Sequence, residues 1–153
     1  MRQVRTFMAR FVGEFNHSIN AKGRVIVPAR FRDGLFGEEK TECFVTKGLD
    51  GCLFVYDRDE WAVMEEKIAA LPLSNPNARR FSRQFLSGAA PCEIDKQGRI
   101  LLPAKLREYA GLSKDVAVVG VGSHIEIWDL KAWDAMNDFD ADEMARNMED
   151  LGI

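Results

Sequence analysis

One motif occurs twice in this chain, and the duplication constrains its fold more than any other feature. Residues 19–32 read INAKGRVIVPARFR and residues 94–107 read IDKQGRILLPAKLR. Gly23 and Gly98, Arg24 and Arg99, Pro28 and Pro103, Ala29 and Ala104, and Arg32 and Arg107 recur at equal spacing. The three residues between arginine and proline are apolar in both copies. Such a repeat predicts a pseudo-symmetric molecule that presents the same basic loop twice, an arrangement suited to a repetitive partner such as DNA.

At 153 residues the chain is long enough for two half-sized units that share one core. A hydrophobic content of 46% beside 29% charged residues describes a globular protein. No apolar run approaches the ~20 residues that cross a bilayer, so no membrane role is expected. Cys43, Cys52 and Cys92 contain no C-x-x-C pair and read as buried thiols in a reducing compartment. Residues 1–7 are basic but lack the apolar stretch of a secretory signal, which points to the cytoplasm.

The net charge of −3 does not suggest a nucleic-acid binder, but the charge is unevenly distributed. Residues 16–32 hold Lys22, Arg24, Arg30 and Arg32 without an acid, and residues 74–89 hold Arg79, Arg80 and Arg83 without one. Acids crowd the end of the chain at Asp134, Asp138, Asp140, Asp142, Glu143, Glu149 and Asp150. This polarity fits one face for phosphates and an opposite, solvating end.

Both halves predict the same order of elements, and the fold class is mostly β with short helices (α+β). Strands over 14–19 and 24–27 flank a glycine-containing turn and read as a hairpin. Pro28 at the first helical position opens a short helix stopped by Gly34 or Gly37. Strands over 43–47 and 52–56 form a second hairpin across Gly48 to Gly51. Asp57 then caps a helix whose stripe of Trp61, Met64, Ile68 and Leu71 belongs in the core. In the second half the strands are expected at 93–94, 100–102, 116–119 and 125–128, with a helix over 103–109 and Asp129 and Trp133 mirroring Asp57 and Trp61. A helix over 77–86 bearing Phe81 and Phe85 connects the halves. Neither unit buries enough surface alone, so strands of one half should pair with strands of the other, and remaining edges should favour self-association, with a ring as a natural closed form.

The chemistry sits in the two loops. Gly23 and Gly98 permit positive φ and close approach of the backbone to a partner, and Arg24 and Arg99 emerge beside them. Arginine donates two bonds to guanine O6 and N7 or forks onto a phosphate, whereas Lys22 and Lys96 serve as phosphate point charges. Asn20 and Asp95 brace the two turns through side-chain oxygens. Arg30, Arg32, Lys105 and Arg107 are candidate flanking DNA contacts, with surface salt bridges as the competing reading. No catalytic residue is nominated: there is no G-x-S-x-G elbow and no phosphate loop, and His17 and His124 lack a spaced metal-ligand partner. No metal, cofactor or small-molecule substrate is expected.

The paired Asp-x-x-x-Arg-type loops, the segment Gly48-Leu49-Asp50-Gly51-Cys52-Leu53 and the twice-used tryptophan resemble the MraZ family over nearly the whole chain. The resemblance implies tandem SpoVT/AbrB-type swapped-hairpin domains around a barrel-like core, at 13–61 and 90–133. A helical connector would occupy 62–89, an extension 1–12 and an acidic tail 134–153. It also implies ring-shaped homo-oligomers and nucleoid-associated, sequence-specific binding to repeated boxes in the promoter of the protein's own division and cell-wall gene cluster, most simply as a repressor. The DNA-contacting loop of that family maps to Asp95 with Arg99 and to Asn20 with Arg24. Asn20 stands where the family usually has Asp, so Arg24 should be held less rigidly than Arg99. Family chains begin near Phe11, which makes Met8 an alternative start. Two other readings stand beside this one: an antitoxin-like module whose acidic tail wraps a protein partner, and a ring-forming scaffold without selective promoter binding.

Overall fold

Val25 and Ile100, each 1% exposed, face each other across a two-stranded ribbon to which each half of the chain contributes one strand. The computed structural model describes residues 10–37 and 41–153. The alternative start at Met8 and most of the expected 1–12 extension lie outside the described residues. In the first half the elements are β1 (Phe11–Ser18), β2 (Arg24–Ile26), α1 (Ala29–Phe36), β3 (Glu42–Lys47), β4 (Leu53–Tyr56), α2 (Arg58–Ala69) and α3 (Pro76–Ser87). The second half gives β5 (Ala90–Glu93), β6 (Arg99–Leu101), α4 (Ala104–Tyr109), β7 (Asp115–Gly122), β8 (Ile125–Asp129), α5 (Leu130–Met136) and α6 (Ala141–Leu151). The two halves therefore have the same order, two strands, a helix, two strands and two helices.

Strand pairing carries the pseudo-symmetry into three dimensions. The six-stranded sheet runs β1-β7-β8-β4-β3-β5, an order that maps onto its own reverse when the halves are exchanged. β4 and β8, one from each half, pair at its centre, with Leu53 opposite Ile127. The second hairpin of each half forms as expected, β3 with β4 and β7 with β8.

The first hairpin requires a correction. The turn at residues 20–23 closes through hydrogen bonds from the Asn20 amide to the Arg24 carbonyl and from the Gly23 amide to the Asn20 carbonyl, each 2.9 Å. Its strands then separate: β1 pairs with β7 from Phe11–Gly122 to Ser18–Asp115, while β2 pairs with β6. Ile19 and Val25 form an isolated bridge between the two arms. In the second half β5 pairs with β3 and β6 with β2. Neighbouring residues along each ribbon strand face opposite ways, so the exchange buries Val25 and Ile100 and leaves Arg24 and Arg99 on the outer side. The six-stranded sheet has β1 and β5 as its outer strands and does not pair them with each other, so among the described residues it is open rather than a closed barrel.

Both faces of the sheet are covered over β3, β4, β7 and β8, whereas β1 at the edge leaves Val12, Glu14 and Asn16 exposed. Cys43, Val45, Leu53, Val55, Val116, Val118, Ile125 and Ile127 point toward the ribbon and its neighbouring helices, where Val25, Ile100, Leu102, Phe31, Leu35 and Leu106 complete the main core. Alternate residues face the other way. Phe44 and Tyr56 pack with Trp61 and Ile68 of α2 and Phe85 of α3, and Ala117, Val119 and Trp128 pack with Leu130 and Trp133 of α5. Trp61 is sandwiched between the rings of Phe44, at 5.2 Å, and Phe85, at 5.6 Å. Asp57 caps α2 through the Glu60 amide at 2.9 Å. Its counterpart Asp129 instead accepts bonds from the amide and hydroxyl of Ser113. Pro28 and Pro103 occupy the N-cap position, one residue earlier than expected. The three cysteines are buried and free, Cys43 facing Cys92 across β3 and β5. Burial pushes the Cys92 thiol up to about 11, which keeps it protonated at neutral pH.

Because the ribbon ties the halves together, truncation within it should weaken the whole molecule. Ile100→Ala is expected to cost about 2–5 kcal/mol in urea unfolding. Tryptophan fluorescence and far-UV circular dichroism should still report one coincident transition; two separated transitions would show that the halves unfold independently.

Candidate nucleic-acid interface

The ribbon presents the two repeat loops at opposite ends of one short antiparallel pairing, in which Arg24 lies opposite Leu101 and Arg99 opposite Ile26. Antiparallel pairing places the arginines diagonally on the same outer face. Each loop is folded by its first side chain. The Asn20 Oδ1 accepts bonds from the Lys22 amide at 3.0 Å and the Arg24 amide at 2.8 Å. The Asp95 Oδ1 accepts from the Gln97 and Arg99 amides, each at 2.9 Å. Asparagine and aspartate thus do the same backbone work, which explains why two different residues serve at equivalent positions.

The loops diverge at the second carboxylate oxygen. Asp95 Oδ2 accepts a bond from Arg99 Nε at 3.0 Å, and Arg24 Nε lies 4.0 Å from the same atom. One carboxylate therefore stands between both guanidinium groups. A second oxygen, from Gln97, accepts a bond from the Arg99 Nη2. Arg24 makes no bond to the Asn20 side chain through its guanidinium; among the described residues it pairs with Asp95 of the other loop. Bonding from the Arg99 amide, together with the Arg99 side chain and the Gln97 amide, holds the Asp95 carboxyl below its ordinary value despite some opposing desolvation.

The last arginine of each motif braces the opposite loop. Arg32 donates from Nε to the Val27 carbonyl at 2.8 Å, and Arg107 does the same to Leu102 at 2.9 Å. Their guanidinium groups lie directly against the glycines of the other half. A Cβ on Gly98 would fall 2.5 Å from Arg32 Cζ, and one on Gly23 would fall 2.6 Å from Arg107 Nε. Both glycines also have positive φ, 91° for Gly23 and 80° for Gly98. Sequence reasoning placed Arg32 and Arg107 beside the loops but missed this cross-half brace, whose only sequence signal is the equal spacing from each glycine to its own terminal arginine. It also missed Gln97 as a partner of Arg99.

The other candidates divide by position. Lys22 and Lys96 are exposed at the loop tips, and Lys105 is exposed on α4. Arg30 is exposed on α1 with its guanidinium 5.7 Å from the Phe15 ring centre. Arg107 and Lys114 line a hollow beside Asn20. Arg79, Arg80 and Arg83 are not part of this site. They lie on α3, which packs through Phe85 on the sheet face away from the ribbon. Among the described residues no group of histidine, cysteine and carboxylates is arranged to hold a metal ion, and no helix is long and apolar enough to cross a membrane.

Two outcomes test this geometry. Gly98→Ala should destabilise the protein by about 1 kcal/mol or more, and its combination with Arg32→Ala should cost less than the sum of the single changes, since both disturb one contact. Thermal unfolding of the four proteins measures the coupling, and strict additivity would count against the brace. The lowered value of Asp95 means that its stabilising contribution is complete above the ordinary carboxylate value of 3.8 and is lost as the pH falls through its own lower value. The amide resonances of Gln97 and Arg99 should accordingly titrate with a midpoint below 3.8.

Comparison with known proteins agrees with the duplicated architecture. The family model described as "MraZ protein, putative antitoxin-like" matches twice, over residues 10–84 and 85–150. A protein of Desulforamulus reducens named transcriptional regulator MraZ is 54% identical over 92% of this chain and 99% of its own length. Proteins of the same name from Natranaerobius thermophilus and Alkaliphilus metalliredigens are 59% identical over 81% of the chain and 84% of the relative, and 53% identical over 94% and 99%. With both halves matched and the relatives covered nearly end to end, the chain belongs to the MraZ family of transcriptional regulators.

Proposed function

We propose that the protein regulates transcription by reading repeated boxes in the promoter of its own gene cluster through the paired loops of the β2–β6 ribbon. The observation that carries this reading is the convergence of Arg24 and Arg99 on Asp95, at 4.0 and 3.0 Å. Two cations that flank one carboxylate on an outward face are oriented before any partner arrives, which lowers the ordering cost of binding. The Asp95 carboxylate occupies the Nε edge of Arg99, and the Nη1 end is left to reach a base edge or a phosphate. Lys22 and Lys96 at the tips, with Arg30, Arg32, Lys105 and Arg107 alongside, supply phosphate contacts that set register without reading sequence.

A single ribbon offers few contacts. Several copies in a closed homo-oligomeric ring raise the effective concentration of each loop at its own box, so tight and selective binding follows from weak individual contacts. A ring seated on promoter repeats obstructs polymerase, which makes repression the expected sign, and the setting is the nucleoid within the cytoplasm. The domain limits at 13–61 and 90–133 remain the proposed binding units, although the exchanged strands make each depend on the other.

Fluorescence anisotropy with the DNA upstream of the protein's own gene, against scrambled DNA of equal length at fixed salt, tests the reading. Wild type should prefer the upstream DNA, and an Arg24→Ala/Arg99→Ala variant of unchanged oligomer mass should lose that preference. Arg99→Ala alone should forfeit about 1–3 kcal/mol of discrimination, whereas Lys96→Ala should weaken binding to both DNAs alike and flatten the salt dependence. Equal losses on both DNAs for Arg99→Ala would reduce it to a phosphate contact. No preference by an intact oligomer would leave the protein-binding or scaffold alternatives.

A further inference from the structure

We infer that the acidic C-terminal helix α6 of one copy seats in the basic groove between α2 and α3 of the next copy, and that this contact closes the oligomer. The proposal rests on the ring reading above and names what would hold the ring together.

The repeat identifies α6 as the counterpart of α3, since each is the last helix of its half. Their surroundings differ. α3 buries Phe85 against Tyr56 and Trp61, whereas every residue of α6 is exposed. Yet α6 is an ordered, amphipathic element. Asp140 caps its start through the Glu143 amide at 3.0 Å, and Gly152, with a φ of 78°, ends it. Ala141, Met144, Ala145, Met148 and Leu151 recur at helical spacing on one side. Met144, Met148 and Leu151 are 49%, 44% and 74% exposed in the single chain. A helix of this length is marginal in water without tertiary cover, so the stripe calls for an apolar surface.

The groove supplies an apolar surface of opposite charge. It lies between the end of α2 and α3, floored by Ile68, Leu71, Pro72 and Leu86 and edged by Arg79 and Arg83. Leu71 and Leu86 remain 37% and 40% exposed there. α3 carries Arg79, Arg80 and Arg83 and no acid, and among the described residues none of the three pairs with a carboxylate. α6 carries Asp142, Glu143, Glu149 and Asp150 against Arg146. On a helical projection Asp142 and Glu149 border the same edge of the apolar stripe. At 1.5 Å per residue, α6 extends about 16 Å and α3 about 18 Å, so the two lie along each other end to end. Glu65 is the acid of the groove lining and stands on α2, across from the arginines.

Groove and helix are different surfaces of the chain, so each copy offers one of each. Such a head-to-tail contact closes into a ring when its rotation closes. It also lies on the sheet face away from the ribbon, which leaves the basic loops uncovered.

Charge exchange in the full-length chain tests the proposal, with native mass spectrometry and light scattering as readouts and tryptophan fluorescence to confirm folding. Arg79→Glu/Arg83→Glu and Asp142→Arg/Glu149→Arg should each shift the wild-type assembly toward the 17.3 kDa single chain. Mixing the two variants restores both contacts, acidic groove with basic helix and basic groove with acidic helix, and should return large assemblies. So should the chain that carries all four changes. Single variants that keep the wild-type mass, or mixtures that stay dissociated, overturn the proposal. A wild type that is itself monomeric overturns the ring reading together with this one, whereas an oligomeric wild type without DNA preference overturns only the promoter reading.

Discussion

The pairing of β2 with β6 is the constraint on which the rest of this structure depends. Each strand is three residues long, too short to persist as an isolated two-stranded ribbon. It persists because Val25 and Ile100 descend from it into the main core with Val27, Leu102, Phe31 and Leu106. The exchange that creates the ribbon obliges β1 to find its partner in β7 and β5 in β3. From that single crossing follow the intertwined halves, the common core and the common outer face. A chain with the same elements and local hairpins would place its two arginine loops at unrelated sites.

The proposed function and the folding share residues at this ribbon. Asp95 closes its own turn with one carboxylate oxygen and positions arginines from both halves with the other. Arg32 and Arg107, spaced identically behind their own glycines, support the loops of the opposite half. The two ion pairs of Asp95 are partly exposed, so each contributes little stability. Their consequence is geometric, since they fix where the guanidinium groups point. The opposite face of the sheet is specialised differently, with an aromatic cluster of Phe44, Tyr56, Trp61 and Phe85 under α2 and α3. The thickness of a sheet separates the basic ribbon from the helical layer, so the proposed nucleic-acid face and the proposed groove for a second copy lie on opposite sides.

The symmetry is incomplete in ways that matter. Asn20 supplies the turn-closing oxygen of Asp95 but no second anionic oxygen, so both arginines depend on a single carboxylate. Trp61 has the rings of Phe44, Tyr56 and Phe85 around it, while Trp133 has Trp128 as its ring neighbour and is only half-buried. α3 covers the sheet and α6 does not.

Much was legible in the residues themselves. Equal spacing of Gly, Arg, Pro and Arg identified the repeat, apolar segments on either side of turn residues located β3, β4, β7 and β8, and Asp57 with Glu60 marked the start of α2, because these signals arise between neighbours in the chain. The turns at Asn20 and Asp95 were equally visible, since an Asx side chain bonds its own backbone. Partner choice for the strands was not. The local reading joined β1 to β2, and the tertiary structure parted them, because burial of Val25 and Ile100 against the opposite half outweighs the short loop that favours a local hairpin. The same holds for the site: the sequence by itself determined which cations sit beside which glycines, and only the tertiary structure decided that both sets share one carboxylate and one face, since that proximity comes from cross-half pairing between residues 75 positions apart.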